Sequence, residues 1–190
     1  MIMSFAAPLG VGTTSKGEYF DVEFTEVIST KEIVGRLNGT MAEGMQVLSA
    51  RQVEDGKASK AMALVAAADY YVEFRQGKEP KSDWKDKISQ FLSKEEILVT
   101  KKTKKSEKEV NIRPFIYKME LHEDKIFYML ASASANYTKP ELVTDTFFQW
   151  MGEELSPFAY AVERLEVYAN TGTEEKPMFV PLEALGEEVE

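Results

Sequence analysis

The chain contains no cysteine and only one histidine, His122. The first absence excludes disulfides, iron–sulfur clusters, thiolate zinc sites and thiol nucleophiles. The second excludes a two-histidine metal site and leaves a serine–histidine triad nothing but His122 to draw on. That residue lies in LHEDK, ahead of a turn expected at Glu123-Asp124, and reads as a solvated loop residue. No window approaches 18 apolar residues, so no membrane-spanning helix is expected. The first residues, MIMSFAAPLGVG, lack the basic stretch of a signal peptide. A cytoplasmic protein with no membrane partner is the expectation. The glycine-containing run Gly10 to Gly17, GVGTTSKG, has neither GxGxxG nor a GK[ST] ending, and a strand follows it rather than a helix. It is therefore not a phosphate cradle. No residue set reads as catalytic, and no cofactor is expected in this chain.

Positive charge is also scarce, and it is concentrated. The 190 residues carry a formal net charge of −9. Between Lys101 and Arg113 lie six cations, Lys101, Lys102, Lys104, Lys105, Lys108 and Arg113, against Glu107 and Glu109. That local balance of +4 leaves −13 for the rest of the chain, an asymmetry that marks a site for an anionic partner. The stretch from Ile97 to Leu121 reads as a long β-hairpin: Ile97 and Val99 alternate with polar residues on the way out, as Val110 and Ile112 do on the way back. A turn at Lys105-Ser106 would set Lys104 against Glu107, Lys102 against Glu109 and Val99 beside Ile112. Beyond Pro114 the apolar parity flips to Phe115, Tyr117, Met119 and Leu121, which predicts a bulge on an edge strand that re-aims Arg113. The same lysines would also protect an exposed edge from pairing with another chain, and both readings stand on these residues.

In chain order, Met3 to Leu9 and Glu18 to Phe24 read as strands. Ser29-Thr30-Lys31-Glu32 is a capping box ahead of the apolar face Ile33, Val34, Leu37 and Met41, stopped by Asn38-Gly39. Met45 to Val53 reads as a third strand, and Asp55 to Lys60 as a linker. Met62 to Phe74 is expected as a long strand. Trp84, Ile88, Phe91 and Leu92 form a helical stripe with Ser82 as N-cap, and Ile126 to Ala133 is another strand. Thr138-Lys139-Pro140-Glu141 reads as a second capping box, with Val143, Phe147, Trp150 and Met151 on the buried face and Gly152 at the end. Ala161 to Tyr168 is the last strand, followed by an acidic tail with an apolar patch at Met178, Phe179 and Val180. The expected fold is α+β: tandem ferredoxin-like (split βαβ) units, the first incomplete at its N-terminus, the second with a projecting β-hairpin. The boundaries are 1–56, 57–170 and an acidic tail at 171–190. The first unit lacks a strand and helix of that pattern, so Met1 is expected to be an internal methionine of a longer chain. Trp84 and Trp150 are expected in the core rather than as base-stacking platforms.

With MSFAAPLGVG and GEYFDVEF near the start, TKKSEKEVNIRP from Thr103 to Pro114 and ASANYTKPELV from Ala133, the chain resembles a bacterial family of radical-SAM-linked proteins. The likeness covers nearly all of residues 1–168. It implies a radical SAM protein as partner, and it carries over Lys104, Lys105, Lys108, Asn111, Arg113 and Pro114 from the hairpin with Asn136, Lys139 and Pro140 from the later loop. The family's upstream motifs, like SHLDLMRT and GFNPH, have no counterpart here, and Ser134 or Ala135 stands where the family tends to have glycine. The expected function is an accessory or substrate-presenting module for a radical SAM enzyme, gripping RNA or an acidic protein. The expected contacts are Lys101, Lys102, Lys104, Lys105, Lys108, Asn111, Arg113, Asn136 and Lys139. The alternatives are a stand-alone RNA-binding protein and, through paired carboxylates such as Glu153 and Glu154 or Glu163 and Glu166, an enzyme of its own.

Overall fold

A computed structural model describes residues 3–54, 56, 60–102 and 107–190. Its first elements are β1 (Met3–Phe5), β2 (Thr13–Ser15), β3 (Phe20–Val22), α1 (Thr30–Asn38), α2 (Ala61–Leu64) and β4 (Val65–Phe74). There follow α3 (Ile88–Leu92), β5 (Leu98–Lys102), β6 (Glu107–Asn111), β7 (Ile116–His122), β8 (Lys125–Ala131), α4 (Pro140–Trp150), β9 (Tyr160–Asn170) and β10 (Phe179–Pro181). The α+β class stands. The chain forms two compact units, one of Met1–Pro8, Glu18–Val65 and Val167–Glu190, the other of Leu9–Gly17 and Ala66–Glu166.

The larger unit is built on a sheet in the order β9-β4-β8-β7, with β2 running parallel to β9. β8 is antiparallel to both β4 and β7. The period of two explains its buried face: Tyr70 stands opposite Tyr128, Val72 opposite Ile126 and Met119 again opposite Tyr128, and all are buried. α4 covers that face through Val143, Phe147 and Phe148, each wholly buried, and Tyr128 and Thr144 share a hydroxyl hydrogen bond at 2.9 Å. Phe91 of α3 meets Phe147 edge-on at 5.1 Å between centroids, while Trp84, Phe74 and Phe148 form an adjoining cluster. Trp84 is buried in the core as expected, whereas Trp150 packs against Phe147 and Phe91 but stays partly exposed at the core's edge, with the Lys94 ammonium over its ring. Gly17 lies so close to β9 that a Cβ would come within 2.6 Å of the Leu165 carbonyl, which only glycine accommodates.

Several local expectations change here. The run from Met62 begins as the helical turn α2 and extends only from Val65. Ser82 caps no helix; its amide and hydroxyl, with the Lys81 amide, donate to the Glu153 carboxylate. α4 starts with Pro140 at its first position, but Thr138 does not cap it, because its hydroxyl donates instead to the Asn136 carbonyl. The hairpin strands form a two-stranded sheet of their own, and the parity flip at Pro114 is a full break, a 3-10 turn over Arg113–Phe115 that hands the chain to β7. The irregularity in pairing comes one step later, between Ile116 and Lys118.

The smaller unit carries less regular structure. β1 and β3 pair antiparallel with Phe5 opposite Phe20. The Ser29 hydroxyl caps α1 by accepting the Glu32 amide at 3.2 Å, as its capping box predicts, and Gly39 closes the helix. Met45 to Val53 is not a strand: its pairing is a single bridge between Gln52 and Glu187. Residues of the acidic tail supply that bridge, the strand β10 against the end of β9, and the Val189 carbonyl that accepts the Thr30 amide at 3.0 Å.

Candidate functional site

β5 and β6 pair so that Val99 faces Val110, Thr100 faces Glu109, Lys101 faces Lys108 and Lys102 faces Glu107. The register is shifted by two residues from the expected one, in which Lys102 faces Glu109 and Val99 faces Ile112; the expected turn at Lys105-Ser106 lies outside the described residues. The consequence is electrostatic. By register position, Lys102 is set opposite a glutamate residue, Glu107, and Lys101 opposite another lysine, Lys108. At the base, Ile97, Val99 and Ile112 are buried and anchor the ribbon, while Lys108 is exposed. Lys104 and Lys105 lie outside the described residues.

The two remaining hairpin residues do different work. The Asn111 side-chain oxygen accepts the amides of Ile97 and Arg113, each at 3.0 Å. The Arg113 guanidinium donates Nε to the Leu92 carbonyl at 2.8 Å and Nη1 to the Ile116 carbonyl at 3.3 Å. Both are half-buried at the root of the ribbon.

Ile116 stands opposite Leu130 in the β7–β8 pairing. The ribbon therefore enters β7, and the loop from Ser132 to Lys139 leaves β8, at one end of the sheet. Asn136 and Lys139 are exposed in that loop, and Lys139 is the N-cap residue of α4. The topology brings them to the ribbon's end of the sheet. Tyr137 of the same loop bonds the Tyr70 hydroxyl. Burial pushes Tyr70 up to about 12, so it stays a neutral hydrogen-bonding group at physiological pH.

The opposite end of the sheet holds a cluster the sequence did not signal. His122 is not a free loop residue: it closes β7, stacks on Phe127 at 4.7 Å, and bonds the Tyr71 hydroxyl and Glu120, each at 3.1 Å. Nearby, a depression of about 300 Å³ is lined by Thr14, Tyr71, Glu73, Lys125 and residues 161–163. Its carboxylates are paired, Glu73 with Lys125 at 2.7 Å and Glu163 with Lys16 at 3.5 Å. It has no group of three metal-ligating side chains, nor does any other place among the described residues. Period-two alternation places Tyr71, Glu73 and Phe127 on the face away from α4, but alternation alone does not say that β9 and β2 bring Glu163 and Thr14 alongside.

Residues 1–140 match a family model described as "Uncharacterized protein conserved in bacteria (DUF2344)". No curated protein and no solved structure matches the chain.

Proposed function

The chain belongs to that bacterial family, and we propose that it is an accessory module which holds RNA through the β5–β6 ribbon and presents it to a radical SAM protein. The radical SAM context rests on the resemblance alone. The observation that carries the RNA half is the pairing of Lys101 with Lys108 in a two-stranded ribbon. Like charges directly opposite one another cost stability, so edge protection alone gives no reason for that placement. An anion bridging both ammonium groups does. Asn136 and Lys139, at the same end of the sheet, extend the reach of the site. An acidic protein surface fits less well, since protein interfaces are poor in lysine and are anchored by aromatic residues and arginine. The run 97–113 has no aromatic residue and a single arginine.

The test is co-purification of the tagged chain with the radical SAM protein from the same bacterium, with and without ribonuclease, and RNA binding by the isolated chain at low and high salt. Retention of the enzyme and salt-sensitive RNA binding are expected. Loss of both would sink the reading, and ribonuclease-resistant capture with no RNA binding would favour an acidic protein partner.

A further inference from the structure

We infer that the face of the β9-β4-β8-β7 sheet turned away from α4 holds an unpaired RNA base, stacked on the imidazole of His122; the inference rests on the proposed RNA binding and adds to it a site outside the ribbon. Register puts the ring on that face. His122 pairs with Lys125, Glu120 with Phe127, and Phe127 with Tyr71, so these five side chains share one side of three adjacent strands, β7, β8 and β4. α4 covers the other side, where Tyr128 bonds Thr144, and Tyr71, Phe127 and His122 stay half-exposed.

The imidazole is held flat and fixed. One of its faces lies on Phe127, 4.7 Å away and 7° from parallel. Nε2 donates to the Glu120 carboxylate and Nδ1 bonds the Tyr71 hydroxyl, each at 3.1 Å. Hydrogen bonds at ring nitrogens lie near the ring plane, so these contacts take one face and both nitrogen edges. The side chain is nevertheless 40% exposed, which leaves the outer face to solvent. An aromatic plane that is exposed and already immobilised loses little further freedom when a second ring stacks on it. Proteins that hold single strands supply such planes, because every base has a π-face.

The surrounding charge selects a base over a phosphate. The Glu120 and Glu73 side chains are 51% and 58% exposed, and their carboxylates repel a phosphate backbone but accept hydrogen bonds from the amino group of a base. The backbone has its own route. β7 runs from the root of the ribbon at Ile116, past the exposed Lys118, to His122, seven residues or about 20 Å. RNA whose phosphates lie on the ribbon therefore reaches the imidazole through a few unpaired nucleotides.

His122 is the only histidine, so its ring-proton NMR signals are unambiguous. The full chain is titrated at low salt with a short non-folding single-stranded RNA and with a blunt duplex RNA. The single strand should move the His122 ring signals upfield, as a stacked base does, and the duplex should leave them in place. His122→Ala should weaken the single strand by about tenfold and the duplex by less than about twofold. His122→Phe keeps a flat ring without the two hydrogen bonds and should recover most of that loss. Single-stranded RNA bound without a shift of the ring signals, equal loss on both RNA forms in His122→Ala, or a His122→Phe variant as weak as His122→Ala overturns the inference while leaving RNA binding intact. Failure of both RNAs to bind at low salt overturns the proposed function and this site with it.

Discussion

The Nε hydrogen of Arg113 goes to the carbonyl oxygen of Leu92 at 2.8 Å, joining the root of the basic ribbon to the last residue of α3. A helix end leaves carbonyls without intrahelical donors, and the guanidinium supplies one. Its Nη1 reaches the first residue of β7 as well, so a single side chain ties three elements at the point where the chain leaves the ribbon for the sheet.

Arg113→Lys should therefore behave much like Arg113→Ala. Lysine keeps the charge but cannot serve two carbonyls from one fork. Each variant should lose about 1–2 kcal/mol in urea denaturation, the low part of the range for a charged donor because the site is half-exposed. Amide hydrogen exchange should quicken first in β5 and β6. A fully stable Arg113→Lys variant would show that the charge alone matters.

Lys108→Glu replaces the like-charged rung with an opposite pair facing Lys101. Stability should rise by about 0.2–1 kcal/mol while RNA affinity falls. A variant that gains stability and binds RNA unchanged would assign these lysines to edge protection.

Phe91 is 1% exposed, with its ring 5.1 Å from Phe147 and 5.6 Å from Trp150. Phe91→Ala should cost about 3–5 kcal/mol in chemical denaturation through lost burial and the cavity left behind. Phe91→Leu should recover more than half of that loss.

Burial alone would raise the Glu153 carboxyl, but the Ser82 hydroxyl and the amides of Lys81 and Ser82 bond its charged form and bring it below the usual glutamate range. A carboxyl lowered on folding adds stability that is complete above its unfolded value, about 4.3, and is lost as pH falls through the folded value. Glu153→Gln should thus be less stable than the parent at pH 7, and the gap should narrow below about pH 4.3. Denaturation curves at pH 7, 5, 4 and 3 check the sign, and a gap that widens on acidification contradicts it.

Some of this was written in the residues themselves. The start of α1 follows from Ser29 and Glu32, three residues apart, and the buried stripe of α4 from a helical period visible in Val143 and Phe147. The hairpin and its excess of lysine follow from alternation and composition, since both are properties of neighbours along the chain. Tertiary structure decided what depends on partners distant in sequence. Arg113 and Lys108 look alike as basic residues of one stretch, yet only the fold brings the Leu92 carbonyl, 21 residues away, to the guanidinium. The pairing of Lys101 with Lys108 was equally hidden, because alternation fixes which residues share a face but allows a slide of two. Met45 to Val53 has a strand's composition without a strand's partner, and a strand exists only where a second backbone completes its hydrogen bonds.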